Sequence, residues 1–182
     1  MLELIIGPMS AGKTEELSRR LRCASIAIGS DKVLAFKYNL DDDRYGSGLR
    51  SHFRQDYILY ESTSTDCLLS IIPDIISRGI KVVGIDEFQF YSDVCEFVEK
   101  TLSLGIRVIM SGLDSTYERL PFNDCLNRLL IHATKIDKLL GICRVCKREN
   151  AIYTKRLTDS KDIIMIGGID CYECRCYDCF DL

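Results

Sequence analysis

Apolar residues along the chain gather into short unbroken runs, and longer segments between the runs carry them at every third or fourth position. The runs predict buried β-strands at residues 2–6, 33–36, 81–86 and 106–112, and a further strand at 136–142. Strands that alternate with helices imply right-handed crossovers and a mainly parallel sheet. In such a sheet, ligands bind at the carboxyl ends of the strands.

Helical periodicity is clearest after residue 14. Leu17, Leu21, Ala24 and Ile28 recur on one helical face, and three arginines fall off that face: Arg19, Arg20 and Arg22. Further helices are expected at 67–76, bent or ended by Pro73, at 94–104, closed by Gly105, and at 123–130. The prediction is an α/β fold, with a parallel sheet flanked by helices.

The alternation of strands and helices stops near Gly141. Six cysteines follow within the last 40 or so residues, which is typical of a small domain held together by a metal. A chain of 182 residues with 47% apolar residues suits one domain with a small appendage. We therefore expect an α/β domain at residues 1–141 and a metal-stapled domain at 142–182.

Charge and hydropathy exclude several classes of function. The formal net charge is −3, which gives no general attraction to nucleic acid or to anionic membranes. There is no apolar run of about 18 residues, and the first strand begins at once without a basic leader. Ten cysteines without a secretory signal favour a reducing compartment, and we expect a cytoplasmic protein. The four cysteines of the α/β part are expected to be small buried hydrophobes: Cys23, Cys67, Cys95 and Cys125.

The segment GPMSAGKT follows the first strand and matches the phosphate-binding pattern G-x-x-x-x-G-K-[ST]. Its glycines let backbone N–H groups point at phosphate oxygens, and the next helix adds the positive end of its dipole. The lysine can reach the β- and γ-phosphates, and the threonine hydroxyl can bind Mg²⁺. The predicted ATP-binding residues here are Gly7, Pro8, Met9, Ser10, Ala11, Gly12, Lys13 and Thr14.

Two acidic residues follow the third buried strand, in the segment VVGIDEFQF. The strand would carry them to the same edge of the sheet as the phosphate loop. Asp86 can hold Mg²⁺ through water, and Glu87 is then free to act as a general base. The acceptor decides the reaction, because water would make the protein an ATPase and a sugar hydroxyl would make it a kinase.

The cysteines of the C-terminal part have the spacing of a structural zinc site. Cys143 and Cys146 form one C-x₂-C pair, and the segment CYECRCYDC offers two candidates for the second pair. These candidates are Cys171 with Cys174, and Cys176 with Cys179. Either choice leaves a spacer longer than the usual ribbon spacer of roughly 15–20 residues, so spacing does not decide between them. The intervening chain would be a long loop tied at its base by the metal.

Six segments in one order carry a resemblance to a known family. They are LIIGPMSAGKTEELSRRLR, YNLDDDRYGSG, VVGIDEFQF, LDSTYERLPF, CRVCKRENAIYTKRL and MIGGIDCYECRCYDC. Together they resemble the cytosolic-type thymidine kinases, the zinc-lasso family found in cells and in large DNA viruses. The resemblance covers nearly the whole chain and implies a phosphate-loop kinase with a zinc-binding lasso as its lid. It implies transfer of a phosphoryl group from ATP to the 5′-hydroxyl of thymidine or deoxyuridine.

The resemblance also implies a role for each matching residue. Glu87 would be the catalytic base, with Gln89 beside it, and Cys176 and Cys179 would complete the zinc site with Cys143 and Cys146. The residues near ATP and Mg²⁺ would include Asp42, Asp43, Arg44 and Gln89, and Asp41 or Asp43 can replace Asp42 because the loop is one residue longer than usual. The nucleoside site would comprise Met9, Leu113, Tyr117, Thr154, Tyr172 and the lasso strand Ile163, Ile164, Met165, Ile166 and Gly167.

Some positions depart from the family pattern, and two other functions compete with the kinase. Phe88 stands where glycine is usual, and Tyr117 replaces a commoner phenylalanine. The family implies a homotetramer and feedback inhibition by the end-product triphosphate. The alternatives are a nucleic-acid-binding module driven by ATP, which the acidic charge opposes, and a nucleotide-gated regulatory subunit without an acceptor.

Overall fold

A six-stranded parallel sheet forms the centre of the protein in a computed structural model. The structure describes residues 1–38, 58–62, 67–122, 124–158 and 171–182. The strand order in the sheet is β3-β2-β4-β5-β1-β6, which confirms the predicted parallel α/β class. The sheet strands are β1 (Leu2–Ile6), β2 (Val33–Tyr38), β3 (Ile58–Ser62), β4 (Val82–Ile85), β5 (Arg107–Gly112) and β6 (Ala133–Lys138).

Two of these strands differ from the expectation. The strand β3 pairs with β2 and was not predicted. The strand β6 begins at Ala133 and ends at Lys138, whereas the sequence placed a strand at 136–142. Its residues are mostly exposed, because β6 lies at the edge of the sheet and, among the described strands, pairs with β1 alone. Its apolar pattern was therefore too weak to fix its bounds.

Four helices connect the strands within the described ranges, and none of them is long and apolar enough to cross a membrane. Pro73 lies in the first turn of a helix that begins at Ile72, where proline is tolerated, and it neither bends nor ends that helix. Residues Leu68–Ile71 before it form a 3-10 turn. The helices are α1 (Lys13–Ile28), α2 (Ile72–Ser77), α3 (Val94–Ser103) and α4 (Cys125–His132).

Each face of the sheet has its own hydrophobic core. The larger core contains Phe36, Phe97 and Val108 and is covered by α3 and α4. The smaller one is formed by α1, through Leu17 and Leu21, against the other face. Because both faces are covered, the sheet interior holds the short apolar runs that the sequence shows.

Arg20 is buried, although the sequence placed it off the apolar face of α1. Its side chain is 6% exposed and donates to Glu3 on β1, to Glu16 on the same helix and to Asp137 on β6. Arg107 on β5 also donates to Glu3. This ion network joins α1 to three neighbouring strands directly below the phosphate loop, and it satisfies the charges that burial would otherwise penalise.

Of the four cysteines expected to be buried hydrophobes in the α/β part, Cys95 is buried in the core and Cys125 packs against it, whereas Cys23 and Cys67 are exposed. Cys95 on α3 and Cys125 on α4 are joined by a disulfide, and Cys23 and Cys67 are exposed free thiols. The first pair could not be recognised in the sequence, because only the packing of α3 against α4 brings the two positions together.

The buried network gives a test of stability. Replacing Arg20 with leucine leaves Glu3 and Asp137 without this partner, so we expect the free energy of unfolding to fall by on the order of 3 kcal/mol. Urea unfolding followed by circular dichroism measures it. Arg19→Leu is the matched control, since Arg19 binds the same Glu16 but is 63% exposed, and it should cost less than about 1 kcal/mol. Equal effects of the two substitutions would contradict the prediction.

Candidate active site

The phosphate loop lies between β1 and α1 at the carboxyl edge of the sheet. At Gly7, where φ is +146°, an added Cβ would overlap the Leu139 carbonyl oxygen, so a side chain cannot be placed there. The Lys13 ammonium is buried and donates to the Pro8 carbonyl oxygen at 2.7 Å. The main chain of the loop therefore surrounds the Lys13 ammonium, and Lys13 is also the N-terminal residue of α1.

Asp86 follows β4 and lies beside the end of the phosphate loop. The Thr14 hydroxyl donates to Asp86 Oδ2 at 3.0 Å, and the buried Ser111 hydroxyl on β5 donates to Asp86 Oδ1. The carboxylate is 4% exposed. A hydroxyl and a carboxylate held together at this edge are the oxygen ligands that Mg²⁺ takes in proteins, so these side chains fit that ion.

Glu87 has an unusual backbone conformation and a fixed side chain. Its φ is +52°, in the left-handed region that non-glycine residues seldom adopt and that often marks functional positions. The Gln89 amide donates to Glu87 Oε2 at 2.6 Å, and Gln89 Oε1 accepts from the Leu113 N–H at 3.1 Å. Gln89 therefore orients the Glu87 carboxylate from the end of β5.

The three charged groups of the site perturb one another. Burial raises the pKa of Asp86. Burial also raises the pKa of Glu87, as does the charge of Asp86, while Lys13 and the Gln89 hydrogen bond oppose the rise. Burial lowers the pKa of the Lys13 ammonium, and the two carboxylates oppose this. A carboxylate with a raised pKa beside a phosphate loop is suited to accept a proton near neutral pH.

Phe88, the departure noted in the sequence, is fully buried beneath the site. Its ring packs so close to Gly112 that a Cβ there would overlap the ring and Gln89 Oε1. Gly112 therefore makes room for both side chains. The larger residue at position 88 becomes part of the core, and Glu87 stays half-buried beside the buried Gln89.

A second sheet of two antiparallel strands faces the phosphate loop. Its strands are β7 (Tyr153–Arg156) and β8 (Tyr172–Arg175), and we call the pair the hairpin. Register pairs Thr154 with Cys174 and Arg156 with Tyr172, and all four side chains are buried on one face. On this face, the Met9 N–H donates to Thr154 Oγ1 at 3.0 Å.

Arg156 brings the two expected aromatic residues of the nucleoside site together. Its guanidinium lies 3.8 Å from the ring centroid of Tyr117 and donates to the Tyr172 hydroxyl at 2.7 Å. One face of the Tyr117 ring is therefore covered by a cation.

Four thiols form a cluster below the hairpin. The Sγ atoms of Cys143, Cys146, Cys176 and Cys179 all lie within 4.8 Å of one another, and Cys146 Sγ is 3.8 Å from Cys176 Sγ. A tetrahedral ion with Zn–S bonds of about 2.3 Å separates its sulfurs by about 3.8 Å, so the cluster fits zinc. Burial opposes ionisation of Cys143, but backbone N–H groups lower the pKa of its thiol to about 6, which favours the ligating thiolate.

Other expected site residues cannot be placed. Asp42, Asp43 and Arg44, with the alternative Asp41, lie outside the described residues, as does the lasso strand 163–167. Gln89, expected near ATP, bonds Glu87 and Leu113 instead of the phosphate loop. The contact of Gln89 with ATP therefore stays a prediction.

Two residues at the site had no assigned role in the sequence, and a third had a different one. Ser111 follows the apolar run of β5, Arg156 lies in the segment CRVCKRENAIYTKRL, and Cys174 was considered only as a metal ligand. Alternation along β7 and β8 is the one signal that could have placed two of them on the face of Thr154 and Tyr172. Ser111 carried no such signal, because only the packing of β5 against β4 brings it to Asp86.

A phosphate loop and a buried acidic residue at the carboxyl edge of a parallel sheet define a nucleotide-binding protein of the phosphoryl-transfer class. A family model described as "Thymidine kinase" matches residues 1–180. The thymidine kinase of vaccinia virus (strain Western Reserve) is 40% identical over 98% of this chain and 96% of its own length. The thymidine kinases of monkeypox virus and variola virus have the same identity and coverage. The chain therefore belongs to the thymidine kinase family.

A solved structure supports the fold alone. The flagellar accessory protein FlaH from Methanocaldococcus jannaschii has a TM-score of 0.52 and 14% identity to this chain. The similarity covers 88% of this chain and 74% of that one. At this identity, the match supports the parallel α/β architecture and carries no information on substrates.

The cysteine cluster gives a metal prediction. We expect the purified chain to carry one zinc ion, and Cys176→Ser to lose it, because a tetrahedral site with three thiolates is incomplete. Cys171→Ser is the control, since Cys171 lies outside the cluster, and it should retain the ion. Plasma mass spectrometry of the desalted protein measures the content. Loss of zinc in the control and retention in Cys176→Ser would refute the assignment.

Proposed function

We propose that this chain transfers the γ-phosphoryl group of ATP to the 5′-hydroxyl of thymidine or deoxyuridine. The observation that carries the proposal is the hydrogen-bonded pair of Thr14 and Asp86 beside Glu87, in a chain of the thymidine kinase family. The pair supports a Mg·ATP site, and Glu87 supports a base next to it. The nucleoside is inferred from the family.

The phosphate loop would bind the triphosphate through its backbone N–H groups and the α1 N-terminus. Lys13, which now donates to the Pro8 carbonyl, would turn its ammonium to the β- and γ-phosphates. Thr14 and Asp86 would hold Mg²⁺, which neutralises charge on the β- and γ-phosphate oxygens when it is bound. Asp42, Asp43 and Arg44 are proposed to contact the same triphosphate.

Glu87 would accept the proton of the 5′-hydroxyl as the sugar oxygen bonds to the γ-phosphorus. The bond between that phosphorus and the β–γ bridging oxygen breaks in line, and ADP leaves with the bonding electrons. Gln89 supports this step, because its amide holds one Glu87 oxygen and leaves the other for the substrate. The products are the nucleoside monophosphate and ADP, and the proton passes from Glu87 to water.

The nucleoside base would stack on Tyr117, on the side of the ring opposite Arg156. Met9, Leu113, Thr154 and Tyr172 would surround the base and sugar. The lasso strand, residues 163–167, is proposed to read the edge of the base through backbone groups. Recognition by backbone groups leaves no side-chain signature, so the preference among pyrimidines must be measured.

Further properties of the family are proposed for this chain. They are a boundary between the α/β domain and the lasso domain at residues 141 and 142, a structural zinc, a homotetramer, inhibition by the end-product triphosphate, and a cytoplasmic location. The separate core around Cys143, Ala151 and Cys179 supports the boundary.

The activity is tested by incubating the purified chain with Mg·ATP and each nucleoside in turn, and separating the products. Turnover of thymidine and deoxyuridine but of no purine nucleoside would support the proposal. Release of ADP without a nucleoside monophosphate would leave an ATPase and refute the kinase.

Glu87→Gln tests the base. The substitution keeps the shape but removes the proton acceptor, so we expect kcat to fall at least about a hundredfold while ATP still binds. Initial rates measure kcat, and titration calorimetry measures ATP binding. Glu118→Gln, at an exposed glutamate, should leave kcat unchanged. A wild-type kcat in Glu87→Gln would show that another group takes the proton.

The raised pKa of Glu87 gives a pH prediction. Only the ionised carboxylate can accept a proton, so kcat/KM for thymidine should fall as the pH drops through a pKa above the ordinary 4.5. Gln89→Met removes a hydrogen bond that lowers this pKa and should move the acid limb to higher pH. Ionisation of ATP is common to both proteins, so their difference reports the enzyme. An acid limb that stays in place or moves to lower pH would contradict the assignment.

A further inference from the structure

Both main-chain polar groups of Met9 are hydrogen-bonded to side chains of the hairpin. The Met9 N–H donates to Thr154 Oγ1 at 3.0 Å, and the Cys174 thiol donates to the Met9 carbonyl oxygen. The partners are 145 and 165 positions away from Met9 in the chain. We call Met9, Thr154 and Cys174 the Met9 clamp.

The register of the hairpin explains why two side chains can reach one residue. Thr154 and Cys174 are directly opposite each other in the antiparallel pair, so their side chains project from the same face. They are 4% and 5% exposed. Thr154 presents an acceptor and Cys174 presents a donor, and these match the N–H donor and the carbonyl acceptor of one residue, Met9.

The clamped residue lies in the middle of the phosphate loop. Pro8, before it, accepts the Lys13 ammonium, and Ser10, after it, has a φ of +56°. A loop in this conformation must be held before the nucleotide arrives, or binding has to supply the ordering free energy. The clamp holds the loop from outside, where the nucleotide phosphates do not need to bind.

Cys174 is separate from the metal cluster, although it lies two residues from Cys176. The four clustered thiols do not include it. Its sulfur packs against Gly141, where an added Cβ would come within 2.8 Å of Sγ. The site is closed behind the thiol, so it accepts a side chain of this size or smaller and points it at Met9.

We infer that Thr154 and Cys174 are positioning residues, which hold the phosphate loop in its nucleotide-binding conformation through the main chain of Met9. The inference rests on the proposed function for the identity of the nucleotide. It gives the hairpin a second task, since the same face carries Arg156 and Tyr172 of the nucleoside site. One rigid pair of strands thereby sets both the donor site and the acceptor site.

Kinetics of paired substitutions test the clamp. Cys174→Ala removes the donor and Thr154→Val removes the acceptor, and each should raise KM for ATP roughly three- to tenfold, the value of one hydrogen bond. Thr154→Ser keeps the hydroxyl acceptor and Cys174→Ser puts a hydroxyl donor in place of the thiol, so both should restore KM to within about twofold of the wild-type value. If Thr154 and Cys174 had a merely structural role, the variants would lower the thermal midpoint of unfolding without raising KM for ATP separately from kcat. The serine variants would then not restore KM.

A spectroscopic measurement reports on Met9 directly. The chain contains four methionines, so selective ¹⁵N-methionine labelling gives few amide signals, and Met9→Leu assigns the one from Met9. In Thr154→Val, the Met9 amide proton should exchange with solvent faster, because it has lost its acceptor. An unchanged exchange rate in that variant would overturn the proposal.

Controls separate the clamp from the metal and from the kinase reaction. Cys171→Ala, adjacent to the hairpin but outside both the cluster and the clamp, should leave KM for ATP unchanged, and zinc content should be equal in all variants. ATP binding is measured by calorimetry without nucleoside. The clamp can therefore fail while thymidine is still phosphorylated, or hold when it is not. Equal ATP affinity in wild type, Cys174→Ala and Thr154→Val would overturn the inference.

Discussion

The hydrogen bond between Thr14 and Asp86 joins two positions 72 residues apart, and the active site depends on it. It forms because β1 and β4 both pair with β5 in parallel, so that their carboxyl ends lie at one edge of the sheet. Arg20 supports the arrangement from below by tying α1 to Glu3 of β1. The phosphate loop therefore begins after β1 and ends at α1, and both elements are fixed to the neighbouring strands β5, β1 and β6.

Much of this edge was predictable from the sequence, because two of its signals are local. The phosphate loop is one contiguous segment with a known pattern, and Asp86 and Glu87 directly follow an apolar strand. The topology of alternating strands and helices then requires both to lie at the carboxyl edge. The C-x₂-C pairs are also local, although their spacing left two candidates for the second pair; the family resemblance favoured Cys176 and Cys179, and the structure places these two in the cluster.

Features that depend on contacts between distant segments were missed or misplaced. Arg20 looked like a surface residue, because its three acidic partners lie on different elements. Ser111 reads as the end of an apolar run, and its role follows from the neighbour that β4 supplies. The exposed edge strand β6 has no strong alternation, and the pairing of Cys95 with Cys125 depends on how α3 packs against α4. Each of these is a property of packing and not of periodicity.

Gln89 gives the site a fixed direction. The Leu113 N–H can only donate, so it sets which end of the Gln89 amide faces β5, and the other end must present N–H to Glu87. The two hydrogen bonds therefore point in the same direction: the main chain of Leu113, after β5, donates to the Gln89 amide, and this amide donates to the Glu87 carboxylate. Leu113 is expected beside the nucleoside base and Glu87 beside its sugar. A displacement at one end of a bound nucleoside would therefore be transmitted mechanically to the other through a single side chain.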